Sequence, residues 1–492
     1  MNLRRPEKKY LREVKMLRKT GWLGERFCLL CGAGFCGLIF LQSVQRVMGI
    51  GGIVTAGSVI CVCAVVYLIL KYWRLGTTGT SALIFMVRFV LALTVIFFIG
   101  AEPVQDFRTM YTAAQELAQG GRGYLDNIYY YNWAYQTGFV VYERLLLKLF
   151  GPGQLSLQVM NAVWMGGIGV LVHRIALCIL PARAAVCAGL LYAVYPAPYF
   201  LAAVLTNQHI CVFFLYLAVW LLIRRQELSV GGAVLAGGVI AIGNIMRPIG
   251  VVLILAVVCW QIVRCLLHRG RDWKRTLGYL AAVVITYTMI FSLASAAIVW
   301  SGINPEGLSN NQPMWKFVLG FNQESSGAWN RYDYENYLML PTEEADAVMR
   351  EVVKERLSVE PIALLKLAVR KSAVMWGDLE YMYWGFGHLD GSQKIGFLTV
   401  DQCTQILALG DKGVYLVCFA LALLGILSLL KRGTYYGGGA LLLSFLLCGY
   451  YAVHLIVEVQ ARYRYFLIPA VAVLAGYGVE TLRIFEYRKR KY

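Results

Sequence analysis

Asp106 stands in the stretch AEPVQDFRTMYTAAQELAQ, a few residues after an apolar run ends at Gly100. A carboxylate at that depth can take a proton from a hydroxyl held beside it. It can equally cap the helical run that follows, because Asp is a favoured N-cap. Glu102 lies four residues earlier and would share a helix face with it, were Pro103 not between them. Arg462 and Arg464 occur in VEVQARYRYFLIP beside an apolar segment, and Arg247 stands in NIMRP between two short ones. Guanidinium groups grip phosphate oxygens bidentately. They also snorkel to ordinary headgroups, pair with an acid such as Glu458, or sit in a loop, as Arg247 would. Asn207, Gln208 and His209 open another apolar segment, where they would line a cavity or cap a helix. The rings from Trp315 to Tyr334 can stack on sugar rings or anchor the chain at an interface.

Other chemistries find no support. The five histidines show no HxH or HxxxH spacing, and Cys28 and Cys31, although spaced CxxC, open an apolar helix without further ligands. The sequence therefore offers no dedicated metal cage, and a divalent ion would have to be held partly by a ligand phosphate. GxxxxGK[ST], GxSxG and HExxH are all absent from the sequence.

The elements that must position these residues are apolar. The 492-residue chain is 59% hydrophobic and 15% charged, too little charge to cover a water-soluble protein of this length. Runs long enough to cross a bilayer lie near 28–48, 50–71, 83–100, 155–180, 184–201, 205–223, 229–245, 248–267, 276–300, 412–430, 436–456 and 464–482. The expected fold is an all-α polytopic membrane protein of about twelve spans. A basic cytoplasmic arm over 1–26 precedes a membrane domain over 27–482, and a basic tail over 483–492 follows it.

Charge sets the orientation. Basic clusters at Arg4–Arg26, Lys71–Arg74, Arg224–Arg225, Arg264–Arg275, Lys431–Arg432 and Arg488–Lys491 should face the cytoplasm, with both termini. Segments 101–154 and 301–410 then lie outside and hold 19 of the 28 carboxylates but 13 of the 46 Lys and Arg. The net charge of +18 is thus a cytoplasmic rim suited to anionic lipid, not a nucleic-acid surface. In the outer segments, Gln105–Gln119, 138–150 and Glu343–Leu357 read as surface helices, and the Tyr/Trp run 124–135 favours the headgroup layer. Only Cys403 of the 13 cysteines falls in these segments, so no external disulfide framework is expected. No internal repeat supports an inverted-repeat transporter.

Six motifs taken in order carry a resemblance. Asp106-Phe107 with Tyr111 comes first, then Tyr135-Gln136-Thr137-Gly138 leading to LLLKLFG, and TNQH at 206–209. NIMRP at 244–248, WKFVLGFN at 315–322 and RYRYFLIP at 462–469 follow. From about residue 83 to 482 the chain resembles the C-type membrane glycosyltransferases, in particular the protein-mannosyltransferase and aminoarabinose-transferase group. The resemblance implies an inverting transfer of sugar from a polyprenyl-phosphate donor to an extracytoplasmic acceptor, with Asp106 as base. Position and residue chemistry place Arg247, Arg462 and Arg464 at the donor phosphate, and Glu102, Tyr111, Tyr135, Gln136, Asn207, His209, Trp315 and Asn322 are the residues expected around the substrates. Two departures leave substrate and metal open: relatives often pair two acids where Asp106 is followed by Phe107, and have Asp where this chain has Asn207. A bacterial cytoplasmic membrane is the expected location. A lipid or polysaccharide transporter, or a ligase using a diphosphate-linked lipid, is the alternative.

Overall fold

The computed structural model describes residues 8–48, 52–224, 229–267, 272–379, 382–434 and 438–489. A helix stands at each of the twelve expected apolar runs. The helices are α1 (Lys8–Met48), α2 (Ile53–Tyr72), α3 (Thr77–Ile99), α4 (Gln105–Ala118), α5 (Thr137–Phe150), α6 (Leu155–Ile179), α7 (Ala182–Ala193) and α8 (Gln208–Arg224). They continue with α9 (Val230–Met246), α10 (Gly250–Leu267), α11 (Trp273–Trp300), α12 (Trp315–Gly320), α13 (Thr342–Leu357), α14 (Pro361–Ser372), α15 (Val400–Arg432), α16 (Gly439–Ile456) and α17 (Ile468–Lys489). Strand structure among the described residues is one two-residue hairpin, Lys394–Ile395 with Leu398–Thr399. Among the described residues, eight of the helices are long and apolar enough to cross a membrane, and α7, α8 and α9 are shorter apolar helices. The protein is an all-α, multi-pass membrane protein.

Several boundaries differ from the sequence reading for local reasons. The described part of the basic arm is helical and continues without a break through residues 26 and 27 into the first apolar run, as α1. The span expected over 184–201 stops at Ala193 and resumes as a turn of helix at Ala197–Ala202, with Pro196 and Pro198 denying the backbone its donors there. Helix α15 begins at Val400, inside the segment 301–410, because Thr399 and Gln402 form a reciprocal capping box there. Residues 1–7, Arg225, Arg269, Arg271 and 490–492, all within the expected basic clusters or tail, lie outside the described residues.

Segments 101–154 and 301–410, the external segments of the expected orientation, lie at one end of the bundle, since they bond to each other. Asn304 donates its side-chain amide to the Tyr130 carbonyl (3.0 Å) and to Thr137 Oγ1 (2.9 Å). Tyr135 N–H reaches the Ser309 carbonyl at 2.9 Å, and Asn311 N–H reaches that of Asn132 at 3.1 Å. The loop between α16 and α17 joins them through Glu458 N–H on the Lys316 carbonyl (2.9 Å) and Val459 N–H on that of Gly327 (2.8 Å). Two glycines permit the close approaches. A Cβ on Gly138 would overlap the carbonyl of Ile245, and one on Gly320 the carbonyl of Ile456.

Candidate active site

Where these three segments meet the outer ends of α9, α10, α11 and α16 there is a cavity of about 1260 Å³. Its walls differ in chemistry. Val251, Val252, Tyr287 and Phe291 come from the spans α10 and α11, whereas Tyr129, Trp133, Tyr135, Trp315, Trp329 and Tyr334 come from the external segments. Asp106, Arg247, Lys316, Glu458 and Arg462 supply charge.

Asp106 reaches the cavity through an unusual backbone. Gly100 and Gln105 both have left-handed φ, +60° and +49°. That conformation is costly for a glutamine, by about 1 kcal/mol. It turns the chain from the end of α3 into α4. The cap alternative for Asp106 is not realised: Val104 is the N-cap, no side chain caps the helix, and Asp106 sits in the first turn. Its Oδ2 lies 3.6 Å from Arg462 Nη2, with the carboxylate half-exposed and the arginine buried. The acid and one of the arginines singled out in the sequence are therefore neighbours across 356 residues of chain.

Arg462 is fixed from several directions. Its guanidinium lies over the rings of Trp384 (4.6 Å), Phe107 (5.1 Å) and Tyr463 (5.6 Å). Its Nε donates to Gln460 Oε1 at 2.6 Å. Gln460 donates to Glu458 Oε1 (2.7 Å), the Tyr463 hydroxyl donates to Glu458 Oε2 (3.1 Å), and Lys316 forms an ion pair with the same carboxylate. Burial alone would raise the Glu458 carboxyl, but Lys316 opposite outweighs it and holds the group below its ordinary range. Burial likewise disfavours the Lys316 charge, and Glu458 more than restores it. The sequence had offered Glu458 as a partner for the arginines; Lys316 takes that place. Arg247 completes the set, its guanidinium 5.3 Å from the Tyr463 ring and its Nη1 donating to Asn207 Oδ1 at 3.0 Å. Asn207 in turn donates to Gln136 Oε1 (3.2 Å) and to the Met246 carbonyl (3.1 Å). Tyr463 is thus a hub with Arg247 and Arg462 at its face and Glu458 at its hydroxyl. No carboxylate pairs with Arg247 among the described residues.

Of the residues expected from sequence, Asp106, Arg247, Arg462, Tyr135, Gln136 and Trp315 line the cavity. Asn207 stands behind its wall, holding Arg247 and Gln136. The others lie elsewhere. Arg464 is buried and donates to the carbonyls of Met375 (3.4 Å), Trp376 (3.2 Å) and Asp378 (2.9 Å), closing the end of a helical turn. His209 is buried with Nδ1 2.7 Å from the Tyr465 hydroxyl. Asn322 donates to Asp333 (2.7 Å), which a bidentate Arg356 also holds, so it braces the small core around Trp315 and Met349. Tyr111 packs part-buried against the main core, and Glu102 pairs with Arg108 on the exposed side of α4. Lys316, Tyr463 and Gln460 were missed. Lys316 stood inside a quoted motif, but a lone lysine between aromatic and apolar residues carries no signal of its partner. No group of three or more His, Cys, Asp or Glu gathers to hold a metal among the described residues.

A multi-pass helical membrane protein whose cavity brings Asp106 and Glu458 together with Arg247, Lys316 and Arg462 is the class so defined. Residues 141–300, about a third of the chain, match the family described as dolichyl-phosphate-mannose-protein mannosyltransferase, the group toward which the ordered motifs pointed. Arg247 and Asn207 fall inside the matched segment; Asp106, Lys316 and Arg462 fall outside it. No curated protein matches the chain. Among solved structures, the archaeal oligosaccharyltransferase AglB from Archaeoglobus fulgidus, in complex with an inhibitory peptide and a dolichol-phosphate, is 11% identical. That match covers 86% of this chain and 52% of the other at a TM-score of 0.46. ArnT from Cupriavidus metallidurans, bound to undecaprenyl phosphate, is 13% identical over 82% of this chain and 78% of the other, with a TM-score of 0.36. The chain spans about half the length of the oligosaccharyltransferase.

Proposed function

We propose that the protein is a membrane glycosyltransferase that moves a sugar from a polyprenyl-phosphate donor to an extracytoplasmic acceptor. The observation that carries this reading is the contact between Asp106 and Arg462 in a cavity that also presents Arg247 beside apolar side chains of two spans. The lipid chain of the donor lies along Val251, Val252, Tyr287 and Phe291, and its phosphate lies between Arg247 and Arg462. Asp106 takes the proton of the acceptor hydroxyl as that oxygen bonds to the sugar C1. The bond from C1 to the phosphate oxygen breaks on the opposite face, with its electron pair going to the lipid phosphate. The anomeric centre inverts.

Arg462 has two partners in this scheme. Without donor, its Nη2 faces the Asp106 carboxylate at 3.6 Å. A donor phosphate draws Arg462 toward itself and leaves the Asp106 carboxylate free to face the acceptor hydroxyl. Holding both reactants against one wall supplies much of the acceleration through proximity. Arg464 serves as a structural pin rather than a phosphate contact.

The test is transfer by the purified protein from radiolabelled polyprenyl-phosphate sugars to candidate glycan, lipid and peptide acceptors. The reading predicts donor-dependent incorporation with inverted stereochemistry. Consumption of diphosphate-linked but not monophosphate-linked donors would replace it with the ligase alternative. Movement of intact lipid across vesicles without glycosidic chemistry would replace it with the transporter.

A further inference from the structure

Resting on the proposed donor chemistry, the geometry points to Lys316 as a third phosphate-facing cation, one that stabilises the lipid phosphate as it leaves. Lys316 lines the cavity with a side chain 36% exposed, while its partner Glu458 is 2% exposed. An ammonium has three N–H donors, and Glu458 uses one of them. Glu458 in turn is not dependent on Lys316 alone, since Gln460 and the Tyr463 hydroxyl donate to its two oxygens.

The pair is not needed to dock the segment that carries it. The main-chain bond from Glu458 to Lys316, the fit of Gly320 under Ile456 and the apolar cluster of Trp315, Val318 and Leu319 already hold α12 in place. A largely desolvated ion pair is a weak stabiliser in any case. A cation kept at a cavity wall, charged by its neighbour and half open to a ligand, has a better explanation in binding.

The charge count of the reaction indicates what it binds. A donor phosphodiester carries one negative charge, whereas the phosphate monoester released carries about −1.5 to −2 near neutral pH. Arg247 lacks a carboxylate partner among the described residues, and Arg462 is shared with Asp106, so they match the diester. The charge that appears on the leaving oxygen requires another cation. Lys316 lines the same cavity and is placed to meet it with the N–H donors that Glu458 leaves open, Gln460 and Glu458 joining it to Arg462 in one row.

The experiment titrates full-length protein in detergent with undecaprenyl phosphate and with undecaprenol, and takes the ratio of the two affinities as the head-group preference. Lys316→Met should reduce that ratio about 10- to 100-fold, and Lys316→Arg should restore part of it. If Lys316 merely braces the loop, Lys316→Met shifts both affinities or the melting temperature and leaves the ratio unchanged; that result overturns the inference alone. A wild-type ratio near one overturns the phosphate site itself, and this inference with it.

Discussion

Replacing Arg462 and Arg464 one at a time by methionine separates two roles that lie two residues apart. Arg464 is buried, and its Nη1 points at three carbonyls, the nearest at 2.9 Å. Methionine takes this donor from all three inside the protein, leaving the Trp376 and Asp378 carbonyls to Lys412 alone. Charge-assisted bonds of this kind are worth about 1.5–3 kcal/mol, and removing one side of a buried charged contact about 3–5 kcal/mol. Arg464→Met should therefore cost about 3 kcal/mol or more of stability. Arg462 loses less on replacement, because its acidic neighbour Asp106 is half-exposed and methionine keeps much of the packing on Trp384 and Phe107. Its loss falls on the phosphate, about 1.5–3 kcal/mol or roughly one to two decades in donor affinity. Arg462→Lys should recover only part, since the planar fork is gone. Thermal unfolding and undecaprenyl phosphate titration on the same detergent-purified samples read both effects. The reasoning fails if Arg464→Met weakens lipid-phosphate binding as much as Arg462→Met while melting normally.

Other expectations follow from the same geometry. Gly320→Ala forces a methyl group into the carbonyl of Ile456, so it should cost about 1–3 kcal/mol and loosen the Lys316–Glu458 contact; unchanged melting would show that the segments approach less closely. Burial pushes the Lys371 ammonium down to about 7, whereas the unfolded chain keeps that proton until about pH 10.4. Between those values the unfolded state binds more protons, so stability should rise with pH, and Lys371→Met should flatten the slope. A slope that persists in the variant would assign it to another group. Single cysteines at the exposed positions Gln119 and Glu324, in a background lacking the native thiols, should both react with a membrane-impermeant reagent from the same side. Labelling from opposite sides would contradict the hydrogen bonds that join the two external segments.

Hydropathy located a helix at each of the twelve apolar runs, but among the described residues eight of them have the length and apolarity that bilayer thickness and a 1.5 Å rise per residue demand of a span. The surface helices were also legible: Gln105–Gln119 and 138–150 correspond to Gln105–Ala118 and Thr137–Phe150, each with an apolar face toward the core. The site was legible only where a residue was out of place on its own element. Asp106 just outside a span, and Arg247 and Arg462 at apolar ends, each violate local expectation, and all three line the cavity. Arg464 violates the same expectation for a different reason, which depends on a helical turn nearly ninety residues away. Lys316 violates none: a lysine in an external segment is ordinary, and its meaning arises only when α12 docks under the end of α16. Tyr129 to Tyr135 read as an interfacial belt because rings at the headgroup layer and rings lining a cavity share one composition.

The central claim is most directly tested by Asp106→Asn, with sugar transfer and undecaprenyl phosphate binding measured on one preparation. Asparagine keeps the size of the side chain and removes the proton acceptor, so the account predicts a folded protein that still binds lipid phosphate and loses about 10²–10⁴ in transfer rate. Turnover near that of the wild type would contradict it.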